Sequence, residues 1–181
     1  MPKNDPWARA RECAFRIPVK GTLLEIGVWR GDNAHRILKQ HPTARLTLVD
    51  PWQSPAEHCS YKHSGSSDSR SSQEVFEHHY QECLRKLKPF ADRVTVIRMP
   101  STEAAASVLK DKRFDVIFID ADHSYDGCLS DILAWRDHAS LWIGGHDYGK
   151  ASFPGVTQAV NEQYPECVLG ADSTWWQRKD K

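Results

Sequence analysis

Thr22-Leu23-Leu24-Glu25-Ile26-Gly27-Val28-Trp29-Arg30-Gly31 is the stretch from which the rest of the chain can be read. Its opening run, Thr22-Leu23-Leu24, does not alternate polar with apolar residues, as expected of a buried parallel strand covered by helices on both faces. An E-x-G-x-x-x-G turn follows, in which Gly27 and Gly31 permit a tight bend and a close backbone approach to a ligand. A dinucleotide fingerprint would read G-x-G-x-x-G and seat a pyrophosphate on the next helix. Here the glycine spacing differs, and Glu25 would repel that phosphate. A cofactor that lacks phosphates and carries positive charge fits better.

Similar runs recur outward from this point: Leu46-Thr47-Leu48-Val49, Val94-Thr95-Val96-Ile97, Val116-Ile117-Phe118-Ile119 and Leu141-Trp142-Ile143. Helical faces fill the gaps: Ala34, Ile37 and Leu38; Phe76, Tyr80, Cys83, Leu84 and Leu87; Ala104, Ala105, Val108 and Leu109; Cys128, Leu129, Ile132 and Leu133. This alternation predicts an open, doubly wound α/β sheet. Val156 to Gln163 reads as a further helix. Cys167–Gly170 and Thr174–Gln177 read as a closing hairpin turned by Ala171-Asp172-Ser173. The whole of 1–181 is expected to form one domain, with 1–20 as a short helical lead-in. A Ser-rich loop at 53–72 is expected to act as a mobile lid.

Composition narrows the function classes. The 181 residues balance 24 Lys+Arg against 24 Asp+Glu, which excludes nucleic-acid binding driven by bulk charge. No apolar run approaches the ~18 to 20 residues of a membrane span. Met1 to Phe15 has no signal-peptide core, so no membrane association and a cytoplasmic location are expected. The five cysteines are scattered and form no C-x-x-C pair, which points to buried free thiols. Some of the seven tryptophans are candidates for a pocket wall.

Ligands of open α/β sheets bind at the carboxyl ends of the strands. Those ends carry Glu25, Asp50, Asp120 and, beyond the fifth run, Asp147. Each alone could be a helix cap or a solvated acid. Four on one edge suit a cation, a sugar diol or both. Asp50, about 20 residues past the glycine turn, is placed for ribose hydroxyls. Asp120, His146 and Asp147 offer oxygen and nitrogen ligands to a divalent ion, and His123 is a base titrating near neutral pH. The plainer alternative makes Asp122 or Ser124 a helix cap and His123 a surface residue. His58, His63, His78 and His79, with Cys59 and Cys83, match no zinc spacing and read as a loop and a solvated helix face.

Together Glu25 to Gly31, Asp50-Pro51-Trp52, Phe118 to Tyr125 and Gly145-His146-Asp147-Tyr148 resemble class I S-adenosylmethionine-dependent methyltransferases. The nearest group is the small bacterial methyltransferase family 24, related to the catechol and caffeoyl-CoA O-methyltransferases. The resemblance spans about Gly21 to Val160. It implies a doubly wound, mostly parallel seven-stranded sheet of the Rossmann-like methyltransferase type with a C-terminal antiparallel hairpin. It places Glu25, Gly27 and Gly31 at the methionine end of the cofactor, with Asp120 also at the cofactor and Asp50 on the ribose. Trp52 would pack on the adenosine, with Ser101 and Thr102 at the adenine. Catechol-type relatives bind magnesium through an Asp at the Asp120 position and an Asp-Asn pair after the fifth strand. Their base is a lysine three residues beyond the first Asp. Here the base position is His123 and the pair reads His146-Asp147. Imidazole weakens the case for magnesium and is accepted by manganese, iron or zinc.

The expected activity is O-methylation of a small-molecule or sugar hydroxyl, with His123 as base and Asp120 and Asp147 orienting substrate or metal. N-methylation and a non-catalytic cofactor-binding module are the alternatives. With a short lead-in, substrate contacts would fall to the Ser-rich loop, the Lys150-to-Thr157 region or the second subunit of a homodimer.

Overall fold

The computed structural model describes residues 5–54 and 72–179. The chain runs α1 (Ala8–Arg16), β1 (Thr22–Ile26), α2 (Asp32–Gln40), β2 (Arg45–Val49), α3 (Gln73–Leu87), β3 (Val94–Ile97), α4 (Ser101–Ala106) and β4 (Phe114–Ile119). It continues through α5 (Tyr125–Trp135), β5 (Ala139–Gly145), α6 (Pro154–Gln163), β6 (Val168–Leu169) and β7 (Trp175–Arg178). The expected lid falls outside the described residues except for its ends at 53, 54 and 72. His58, Cys59 and His63 also lie outside them.

One seven-stranded sheet has the order β3-β2-β1-β4-β5-β7-β6. β3, β2, β1, β4 and β5 are parallel, and β7 runs antiparallel to both β5 and β6. The C-terminal hairpin is therefore present, but its second strand pairs with β5 and its first becomes the edge. The doubly wound, mostly parallel fold expected from the apolar runs is the one found.

Both sheet faces are buried, which is why the strands read as unbroken apolar runs. Leu24, Ile26, Ile117, Ile119 and Ile143 pack against α4, α5 and α6 through Ala104, Ile132, Trp135 and Val160. Leu23, Leu46, Leu48, Val116 and Phe118 pack against α1, α2 and α3 through Cys13, Ile37, Cys83 and Leu87. Cys13, Cys83 and Cys128 are buried free thiols.

Three expectations need correction. The helix after β3 stops at Ala106 instead of continuing to Leu109, and Val108 is exposed. Its Ser107 hydroxyl donates to the Glu103 carbonyl at 2.6 Å, a local bond that competes with helix continuation. In α5 the buried stripe is Cys128, Asp131, Ile132 and Trp135, whereas Leu133 is exposed. His79 is not on a solvated face: it is buried, edge-on to Trp29 and Phe76, with Nε2 3.2 Å from Arg30. Among the described residues, no helix is long and apolar enough to cross a membrane.

Candidate active site

Parallel pairing continues one residue beyond the strands and sets the carboxyl edge. Gly27 N–H donates to Val49 O, Asp50 N–H to Ile97 O, Asp120 N–H to Ile26 O and His146 N–H to Ile119 O, at 2.8 to 3.3 Å. Gly27, Asp50, Asp120 and His146 are thereby held in one row. Gly27 is required there, since its φ is +83° and a Cβ would lie 2.1 Å from the Asp120 carbonyl oxygen. Gly31 caps α2 in the left-handed region, where a Cβ would meet Cys83 Sγ at 2.9 Å.

A cavity of about 70 Å³ opens beside this row, lined by Gly27, Pro51, Ser101, Thr102, Asp122 and Asp131 among others. It gathers three of the expected cofactor residues, Gly27, Ser101 and Thr102. Sequence reading missed Asp131. Gly127, Ser130 and Asp131 lie at i, i+3 and i+4, a small, polar stripe that faces the cavity beside the apolar one. Asp131 is buried, and burial pushes its carboxyl up to about 7 despite a hydrogen bond from Ser101. Ser101 Oγ also accepts from Trp135 Nε1 at 2.7 Å.

Of the remaining expected cofactor residues, Glu25, Gly31, Asp50 and Trp52 belong to the turn and its support, whereas Asp120 follows β4 in the polar cluster. Glu25 belongs to β1 and is buried, with Oε1 accepting from Asn33 Nδ2 at 3.0 Å. Its burial raises the carboxyl to about 8. Asp50 Oδ2 accepts from Val28 N–H (2.8 Å) and Trp29 N–H (2.9 Å), and Oδ1 from Trp52 N–H (2.8 Å). Three of about four lone-pair sites are thus committed to shaping the loop, leaving about one for a ribose hydroxyl. Trp52 is 1% exposed, packs on Tyr80 and donates Nε1–H to Trp29 O at 2.7 Å. Its ring is buried in the core layer on the α1–α3 side of the sheet. The exposed tryptophan of the turn is Trp29, at 45%.

The polar cluster lies on the β4 and β5 side. Of the two residues in the plainer alternative, Ser124 is the cap of α5, and Asp122 braces it from the preceding turn. Asp122 Oδ1 accepts from Ser124 N–H (2.8 Å), and Ser124 Oγ from Gly127 N–H (3.1 Å). His123 is not a surface residue. Its ring stacks on Phe153, and Nε2 lies 2.6 Å from Asp147 Oδ2 and 3.8 Å from Asp120 Oδ1. His146 Nδ1 lies 2.9 Å from Asp147 Oδ1 and 3.4 Å from Asp120 Oδ1. Arg9, from α1, pairs with Asp120 Oδ2, and Lys150 Nζ is 2.5 Å from Asp147 Oδ1.

These contacts fix the charges. Burial opposes ionisation of both carboxyls, but Arg9 and the two histidines hold Asp120 well below the carboxylate range. The histidines and Lys150 do the same for Asp147. Burial likewise opposes a charged His123, yet the two carboxylates raise it to about 9.

A ligand can be tested against these features. Glu25 Oε2 and Asp122 Oδ2 are buried and have no hydrogen-bond partner, so the edge offers acceptors to a ligand rich in N–H and O–H donors. With the cavity, this fits an aminoacyl nucleoside such as S-adenosylmethionine. For a divalent ion, Asp120, His146 and Asp147 present ligand atoms within 4.8 Å of one another. Each carboxylate oxygen already faces a cationic or proton-bearing side chain, and in this arrangement the donor set does not fit a metal.

A mostly parallel sheet with an antiparallel seventh strand, a glycine turn after β1 and an acid-rich carboxyl edge define a class I S-adenosylmethionine-dependent methyltransferase. A family model described as a methyltransferase domain matches residues 24–148, and the chain belongs to that family, methyltransferase family 24. Among solved structures, the O-methyltransferase NovP is similar at 17% identity and TM-score 0.62, over 95% of this chain and 78% of that one. The O-methyltransferase TomG from Streptomyces achromogenes, in complex with SAM, is similar at 12% identity and TM-score 0.63, covering 97% and 79%. Spermidine synthase from Thermotoga maritima is similar at 16% identity and TM-score 0.59, covering 97% and 60%. At these identities the likeness establishes the fold. No curated protein sequence matches.

Proposed function

We propose that this enzyme methylates a hydroxyl oxygen of a small molecule or sugar, with His123 as the base. The observation that carries this reading is the pairing of His123 Nε2 with Asp147, which leaves Nδ1 without a hydrogen-bond partner. In the neutral ring, Nε2–H is donated to Asp147, and Nδ1 keeps the lone pair that accepts the acceptor's proton. S-adenosylmethionine, when bound, would supply an electrophilic methyl group on its sulfonium, with the thioether as leaving group. Gly27, Ser101, Thr102, Asp122 and Asp131 would line the cofactor. Glu25 and Asp50 would meet it through the buried Oε2 and the remaining lone pair. Phe153, stacked on His123, fixes the ring plane so that alignment is set before the acceptor arrives.

Charge balance favours a hydroxyl over an amine. Arg9 and Lys150 already answer Asp120 and Asp147, so a cationic amine would gain little from this edge.

The raised His123 specifies the test. His123 is charged at neutral pH, so kcat/KM should rise toward an apparent pKa near 9 as its proton is removed. His123→Ala should lower turnover roughly 100-fold or more and abolish that limb, with S-adenosylhomocysteine affinity near wild type. A screen of polyols and amines would identify the acceptor. Unchanged turnover in His123→Ala would remove the assignment.

A further inference from the structure

We infer that the cation of the Asp120–His146–Asp147 edge is Arg9 itself, carried by α1, and that this side chain keeps a divalent metal out. The metal-binding statement stands without the methyl-transfer reading; only its catalytic consequence rests on it.

The geometry carries the argument. Asp120 Oδ2 is taken by the Arg9 guanidinium, while Oδ1 faces His146 Nδ1 at 3.4 Å. Asp147 Oδ2 lies 2.6 Å from His123 Nε2, and Oδ1, which has no hydrogen-bond partner, is neutralised by charge contacts to His146 Nδ1 at 2.9 Å and Lys150 Nζ at 2.5 Å. His146 therefore turns Nδ1 toward two carboxylates whose charge Arg9 and Lys150 already answer. Its other nitrogen, Nε2, lies 3.5 Å from Asp172. Arg9 and Lys150 carry two fixed positive charges against the two carboxylates before any ion is added. A dication would find the carboxylates already neutralised and gain no net attraction unless Arg9 withdrew, and a guanidinium cannot give up its charge by deprotonation.

Arg9 is also held where it is. Its Nε lies 3.4 Å from Asp172 Oδ2 in the β6–β7 turn, so two carboxylates orient one guanidinium. The helix beneath it is fastened to the same end of the sheet. Glu12 Oε1 accepts from Ala171 N–H at 3.1 Å, and the Arg16 guanidinium sits 4.1 Å from the Trp176 ring centroid. Withdrawing Arg9 means giving up both of its ion pairs. For the reaction, Arg9 is a positioning residue: its ion pair holds Asp120 in place beside His123.

The test is a gain of metal binding. Apo wild type, Arg9→Gln, Arg9→Ala and Arg9→Lys are titrated with MnCl2, without cofactor. Bound ion is counted from the loss of the free Mn(II) resonance signal, and unfolding temperature is followed in parallel. Wild type and Arg9→Lys should bind no ion and show no shift. Arg9→Gln and Arg9→Ala should take up one Mn(II) and gain a few degrees at about 100 times Kd. That gain should vanish when Asp120→Asn is added. Stoichiometric Mn(II) binding by wild type would overturn the inference, as would neutral variants that fold and bind no more than wild type. S-adenosylhomocysteine is absent from these titrations, so failure of the cofactor reading would be seen separately.

Discussion

Asp131, Glu25 and His123 share a direction of shift that makes stability depend on pH. The folded-state values of all three are raised: to about 7 for Asp131 from 3.8, about 8 for Glu25 from 4.5, and about 9 for His123 from 6.5. Each binds its proton more tightly folded than unfolded, so each contribution is full below the unfolded value and is lost as pH rises through the folded one. Asp120 and Asp147 have depressed values, so theirs is present above about 4 and lost in stronger acid. Unfolding temperature should therefore peak in mild acid and fall steadily from pH 5 to 9. Asp131→Asn should flatten the part of that slope below pH 7; an unchanged slope in denaturant titrations would refute the assignment. Residues were unevenly legible in the sequence. Asp120, Asp147 and the histidines announced themselves as polar groups where apolar runs end. Trp52 and Asp50 did not reveal their duties, because those are bonds to the backbone of the turn, which no residue type encodes.

The strands of the parallel sheet were legible because helices bury both of their faces, and unbroken apolar runs are the result. Helix ends were harder to place. The early stop of α4 follows from one serine hydroxyl, and the face α5 buries includes an acid and a tryptophan that simple apolar periodicity passes over. The β1–α2 turn is the least tolerant junction. Gly27→Ala would drive a Cβ into the Asp120 carbonyl at a positive φ. It should cost several kcal/mol or prevent folding, because β4 must move with it. A variant that melts within a degree or two of wild type would show that the close approach of these strand ends is not needed.

At the scale of the molecule, cofactor binding should register as stability. S-adenosylhomocysteine at 100 times its Kd should add about 2.7 kcal/mol and raise the unfolding temperature by a few degrees, whereas NADH should not. The sheet's doubly wound character was legible from the alternation of runs and helical faces. The order of its last two strands was not, since a hairpin pairs in the same way whichever strand joins the sheet. That order has a consequence for biosynthesis. β7 is the strand latest in the chain, yet it lies inside the sheet, carrying Trp175 into one core layer and Trp176 into the other. While the ribosome still holds residues 175–178, neither layer can close, and β5 waits with an unpaired edge. Folding of this domain therefore cannot complete until β7 has left the exit tunnel. A nascent chain stalled with β7 in the exit tunnel should remain protease-sensitive throughout, and should turn resistant in one step once that strand emerges.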